Sequence, residues 1–146
     1  KTILFLCTGN SCRSQMAEGW TRKLWPQLQV HSAGSAPGRE VDYLAVQAMA
    51  EKGIMISTYL PKTSPGFAAR RFLIWSLRSA ETRRKIALIF PVEQKLSITD
   101  LTIRQDGENA KTEEEALTYY RRVRDEIADF VGNLPQAHPE LFSEQA

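Results

Sequence analysis

The sequence predicts one α/β domain, a three-layer α/β/α sandwich around a four-stranded parallel sheet. Three observations carry that prediction. Thr2 to Leu6 is a short apolar run rich in strand formers and followed by turn residues, the mark of a buried strand. A helix-forming stretch, a second strand-like run and a second amphipathic stretch follow in turn. This β-loop-α-β-α order implies right-handed crossovers between parallel strands. The chain has 146 residues, of which 42% are hydrophobic and 25% charged, a composition that suits one domain with a substantial core.

The first strand ends at Cys7. Thr8-Gly9-Asn10-Ser11 is a turn in which Gly9 and Asn10 tolerate positive φ, so that successive N–H groups converge on one point. A helix opens over Ser11 to Ser14 and runs to Leu24, with Met16, Trp20 and Leu24 expected inward and Pro26 closing it. Cys7 therefore lies on the rim of an anion-binding loop that faces the positive end of a helix. Its thiol is expected to titrate well below the free value of about 8.5. Arg13, which completes a Cys-x5-Arg-Ser pattern, offers a planar fork of donors suited to a tetrahedral oxyanion. Ser14 is placed to donate to the sulfur as it attacks or leaves. The pattern is a nucleophile inside a cradle for a phosphate-like anion, with Thr8, Gly9, Asn10, Ser11, Cys12 and Arg13 as candidate oxyanion-binding residues.

The rest of the chain completes the sheet. Leu28 to Ser32 reads as the second strand, closed by the Ala33-Gly34 turn and the Pro37-Gly38 loop. Val41 to Lys52 reads as a second helix with Leu44, Ala45, Ala48 and Met49 inward and Gly53 as its stop. Ser64-Pro65 has the form of a short helix start. Phe72 to Leu77 and Ile86 to Phe90 read as the third and fourth strands, among the basic residues Arg70, Arg71, Arg78, Arg83, Arg84 and Lys85. Thr112-Glu-Glu-Glu115 is a capping box. The helix it opens puts Ala116, Tyr120, Val123, Ile127 and Val131 on one face, has Arg121, Arg122 and Arg124 on its wet side, and ends at Gly132. The domain is expected to span residues 1–134, with 135–146 as a loosely docked or disordered tail.

Composition excludes several classes. A formal net charge of +2 argues against a nucleic-acid or membrane partner, and no apolar run approaches the length of a membrane span. The two cysteines, Cys7 and Cys12, share one loop. That is no disulfide scaffold; it suits a cytoplasmic enzyme with a reactive thiol. No metal site is expected, since His31 and His138 lie far from the thiols without ligand spacing.

Cys7-Thr-Gly-Asn-Ser-Cys-Arg-Ser-Gln-Met-Ala-Glu-Gly-Trp20 resembles the active-site loop and first helix of arsenate reductases built on the low-molecular-weight protein tyrosine phosphatase fold. His31-Ser-Ala-Gly34 and Tyr120-Arg-Arg-Val-Arg-Asp-Glu-Ile127 extend the resemblance, which runs from Thr2 to about Val131. It implies the low-molecular-weight phosphatase-like fold, an arsenate or phosphate-type oxyanion as substrate, and loop-bracing roles for Asn10, Glu18, Ser32 and the position of Lys62. Some relatives hold a potassium ion there; the Lys62 ammonium is expected to replace it, so that no metal or other cofactor is needed.

The chain departs from that pattern in two places. The reductases it resembles relay the disulfide through two further cysteines, and Leu77 stands where the first of them belongs. Reduction would then need an external thiol or redoxin, with Cys12 as the alternative resolving thiol. The family's Asp-Pro acid is also absent. Asp106, in an Asp-Gly turn, is the leading substitute and Asp100 the second. Three readings follow: an arsenate reductase-like enzyme with Cys7, Arg13 and Ser14 as its catalytic set; a tyrosine phosphatase acting through a phospho-cysteine, which additionally requires Asp106; and a catalytically weak oxyanion-binding regulatory module.

Overall fold

The computed structural model describes residues 2–7, 12–34, 38–61, 73–76, 96–97 and 110–143, with 2, 6, 7, 73–76 and 96–97 described by their backbone alone. Strand β1 (Thr2–Cys7) leads into helix α1 (Arg13–Leu24), strand β2 (Gln29–Gly34) and helix α2 (Tyr43–Ala50). Strands β3 (Leu73–Ser76) and β4 (Leu96–Ser97) follow, then the long helix α3 (Glu113–Gly132), the short helix α4 (Leu134–Ala137) and a 3-10 turn at Pro139–Leu141. The strands lie side by side in the order β2-β1-β3-β4, all parallel.

The register sorts the side chains of β1 and β2. Ile3 pairs with Val30 and Phe5 with Ser32, so these four share one face of the sheet. Ile3, Phe5 and Val30 join one core with Met16 and Ala17 of α1, Ala45, Ala48 and Met49 of α2, and Val123, Ile127 and Val131 of α3. On the opposite face Leu4 and Ala33 are equally buried. A strand apolar on both faces is what the unbroken run Ile3-Leu-Phe5 encodes, and each large side chain buried there stabilises the fold by about 1.5–3 kcal/mol.

Capping sets the helix ends. Asp42 Oδ1 accepts from the Leu44 amide at 3.0 Å, so α2 begins at Tyr43 rather than at Val41. It closes at Gly53, whose φ of +71° suits a residue without a Cβ, while the Ile54 amide returns to Met49 O at 3.1 Å. The expected end at Lys52 falls in that closing turn. Thr112 Oγ1 accepts from the Glu115 amide at 3.1 Å and opens α3 as the capping box requires; Glu115 Oε2 reaches back to the Lys111 amide at 2.9 Å. Asp42 also joins the two helices, because its Oδ2 accepts from the Tyr120 hydroxyl at 2.7 Å.

Several expectations need correction. β2 runs to Gly34, not Ser32, because its ladder with β1 continues through Leu6–Ala33 and Cys7–Gly34. Leu24 is exposed: the buried side of α1 is formed by Ser14, Gln15, Met16, Ala17, Glu18, Gly19 and Thr21. Arg124 does not lie on a wet face. It is buried against α2, where it donates to Ala48 O at 2.9 Å and to Glu51 Oε2 at 2.8 Å. Residues 134–143 do not form a loose tail, since Leu134, His138 and Leu141 are buried. The Trp25 indole N–H donates to Val131 O at 2.8 Å, and the Trp25 ring meets Phe142 edge-on at 4.9 Å. The proline-rich sequence hid apolar anchors spaced too irregularly to register as a helix. Ser64-Pro65, the basic cluster at 70–85 apart from the backbone of 73–76, and the expected strand Ile86–Phe90 lie outside the described residues. β4 at Leu96–Ser97 comes later in the chain than that expected strand.

Candidate active site

The site is built where β1 stops and α1 starts. Cys7 is the last residue of β1, its backbone paired with Gly34 at the carboxyl edge of the sheet, where ligands of open parallel sheets bind. Cys12 is the N-cap of α1. Its carbonyl accepts the first helical bond from the Met16 amide at 2.9 Å, and its side chain makes no capping bond. The first-turn amides of any α-helix make no intrahelical bond, and in α1 these belong to Arg13, Ser14 and Gln15. Arg13 and Cys12 are half-buried, and Ser14 is fully buried.

Two of the residues expected to brace the loop meet beneath this start. Glu18 is buried on α1, and its Oε2 accepts from Ser32 Oγ at 2.5 Å, so two of the four bracing positions are brought together. Ser32 reaches it because register places Ser32 on the helix-facing side of the sheet. Asn10, Lys62, Thr8, Gly9, Ser11, Asp100 and Asp106 lie outside the described residues, as does the Cys7 side chain. Among the described residues there is no group of three His, Cys, Asp or Glu side chains able to hold a metal ion, and no helix long and apolar enough to cross a membrane.

Sequence reasoning missed two contacts of this region. Arg22 donates to Glu18 Oε1 through Nη2 at 2.7 Å and Nε at 3.2 Å; the i,i+4 spacing of the pair was the available signal. Gln15, fully buried, donates through Nε2 to Leu60 O at 3.3 Å. No local pattern announces a contact between residues so far apart in sequence.

The family model described as low molecular weight phosphotyrosine protein phosphatase matches residues 2–138. An arsenate reductase of Bacillus licheniformis is 41% identical over 133 residues, covering 88% of this chain and 91% of that protein. An arsenate reductase of Bacillus subtilis is 38% identical over 132 residues, with the same coverage. Among solved structures, an arsenate reductase in the phosphate binding state superposes with a TM-score of 0.73 at 28% identity, covering 94% of this chain and 98% of that one. A strand ending in Cys7, a helix beginning at Arg13 and these matches agree: the chain belongs to the low molecular weight phosphotyrosine protein phosphatase family.

Proposed function

We propose that this chain is an arsenate reductase-like, cysteine-dependent enzyme. The observation that carries the reading is the junction of β1 and α1, which sets Cys7 at the sheet edge and Arg13 and Ser14 in the first turn of the facing helix. Arsenate binds in the Cys7–Arg13 loop, held by loop amides from Thr8 to Arg13 and by the Arg13 guanidinium. The Cys7 thiolate attacks arsenic, one oxygen leaves as water, and a thiol–arsenate adduct remains. Ser14 donates to the sulfur. An external thiol or redoxin then attacks the Cys7 sulfur. The electron pair of the sulfur–arsenic bond stays on arsenic, arsenite departs, and a mixed disulfide is left for a second thiol to reduce. An external donor supplies the electrons because the chain holds two cysteines, both in the loop, with Cys12 as the alternative resolving thiol.

The family's description favours a second reading, phosphate ester hydrolysis through a phospho-cysteine with Asp106, or else Asp100, as general acid. In either reading Glu18, Ser32, Asn10 and Lys62 brace the loop without a metal, and the enzyme is cytoplasmic and acts on neither nucleic acid nor membranes. Burial of Leu4 and Ala33 on the sheet face away from α1 supports the three-layer form of the fold.

The test is a parallel assay of arsenate and an aryl phosphate, with and without small thiols and a redoxin. Arsenite release that needs a thiol and is lost in Cys7→Ser is the expected result. Hydrolysis of aryl phosphate that Cys7→Ser abolishes and Asp106→Asn slows about 10²-fold or more would transfer the assignment to the phosphatase reading. Anion binding without turnover in either assay would leave a regulatory module.

A further inference from the structure

Among the described residues, Glu18 is the carboxylate that is buried. It follows the first residue of α1, Arg13, by five positions, which puts it about 8 Å along the axis from the helix start. A negative charge buried there opposes both a thiolate and an oxyanion at the loop. Arg22 meets it one turn further on, with Nη2 at 2.7 Å from Oε1. The guanidinium is then held from two other sides. Nη2 also donates to Val30 O at 3.4 Å, and the Tyr59 ring covers it, 5.7 Å from centroid to guanidinium carbon.

Tyr59 is seated by the same helix. Gln15 holds the carbonyl of Leu60. At Gly19 the absence of a side chain lets Ile54 and Ile56 close in, where a Cβ would meet their Cγ2 atoms at 2.9 and 3.1 Å. Gln15, Gly19 and Arg22 thus form one track on α1, along which residues 54–60 dock and bring the Tyr59 ring against the arginine, whose side chain stays half-exposed.

We propose that Arg22 is a positioning residue of the oxyanion site: it cancels the Glu18 charge behind the loop and keeps the second carboxylate oxygen on Ser32. The helix start then presents an uncompromised positive end to the incoming anion. This role rests on the reading that the Cys7–Arg13 loop is the oxyanion site.

The experiment uses the full chain as wild type, Arg22→Gln, Arg22→Lys and the double variant Glu18→Gln/Arg22→Gln. Each is titrated with inorganic phosphate, its Cys7 alkylation is followed against pH, and its folding is checked by thermal unfolding. Arg22→Gln is expected to weaken phosphate binding about three- to tenfold and to move alkylation to higher pH. Arg22→Lys is expected to retain most of the affinity. The double variant, carrying neither charge, is expected to bind phosphate more tightly than Arg22→Gln while staying below wild type, because the amide of Glu18→Gln still accepts from Ser32 and the uncancelled charge is gone, where a purely structural role would add the two losses. Unchanged binding and alkylation in a folded Arg22→Gln protein overturns the proposal, as does a double variant weaker than Arg22→Gln. Should Arg22→Gln fail to fold, the double variant decides, with loss of phosphate binding counting against the role. A wild type that binds no phosphate overturns the loop reading and this proposal together, whereas wild-type binding with an unaffected Arg22→Gln overturns the proposal alone.

Discussion

The Ser32 hydroxyl on β2 donates to Glu18 Oε2 on α1 at 2.5 Å, joining the second strand to the helix that opens the candidate site. Both residues are buried, so the bond forms away from competing water. Ser32→Ala takes one donor from a buried carboxylate. It is expected to lower stability by about 1–3 kcal/mol, read from urea unfolding. Phosphate binding is expected to weaken with it, because the helix that opens the candidate site loses an anchor on the sheet.

Gly19 tests how tightly α1 sits on the segment after α2. An added Cβ would stand 2.9 Å from Ile54 Cγ2 and 3.1 Å from both Ile56 Cγ2 and Met49 Cε. Gly19→Ala gains about 1 kcal/mol of helix propensity, but overpacking a filled core costs about 1–3 kcal/mol. The net expectation is a loss of up to about 2 kcal/mol. Gly19→Val, with two more carbons to house, should lose more. A stabilised Gly19→Ala protein would show that Met49 yields its space freely.

Arg124 is a buried cation that fastens α3 to α2. Replacing it with Met keeps the stem but leaves Ala48 O without this donor and Glu51 with one partner fewer. A loss of about 2–3 kcal/mol is expected, against about 0.5 kcal/mol or less for an arginine on a wet helix face. Denaturant midpoints of Arg124→Met and Arg122→Met, side by side, provide the check, because Arg122 is largely exposed and pairs with Glu126 at 3.9 Å.

Hydrogen bonds from Arg121 first, and then Arg124, hold the Glu51 carboxyl down to about 2 from its ordinary 4.5. A carboxylate whose folded value is depressed stabilises the fold above its unfolded value, and that contribution fades as pH falls toward the folded one. The Tm of wild type should therefore exceed that of Glu51→Gln near neutral pH, and the gap should narrow between pH 4.5 and about 2. The effect is modest and screened by salt because the pair faces solvent. A gap that stays constant down to pH 2 would contradict the assignment.

The C-terminal segment is expected to contribute to the core. Leu141→Ala removes a buried side chain and should cost about 2–3 kcal/mol. A loose tail would tolerate it without change in the unfolding midpoint.

Local signals determined much of this protein by sequence alone. The strand ending at Cys7, the helix beginning at Arg13, the Thr112 cap and the Gly132 stop each follow from side chains within one or two turns of the feature they create. Spacing was therefore enough to read them, and enough to set Cys7 at the strand end and Arg13 at the helix start. Tertiary structure decided what lies behind that loop and around it. Gln15 reaches Leu60 across 45 residues, Arg124 reaches Ala48 across 76, and Trp25 reaches Val131 across 106. The strand register turned Ser32 toward Glu18, helix packing drew Arg124 out of water, and Trp25 gave Phe142 a surface to dock on. Propensity acts between near neighbours, whereas burial and long-range pairing exist only once the sheet has aligned and the helices have closed over it.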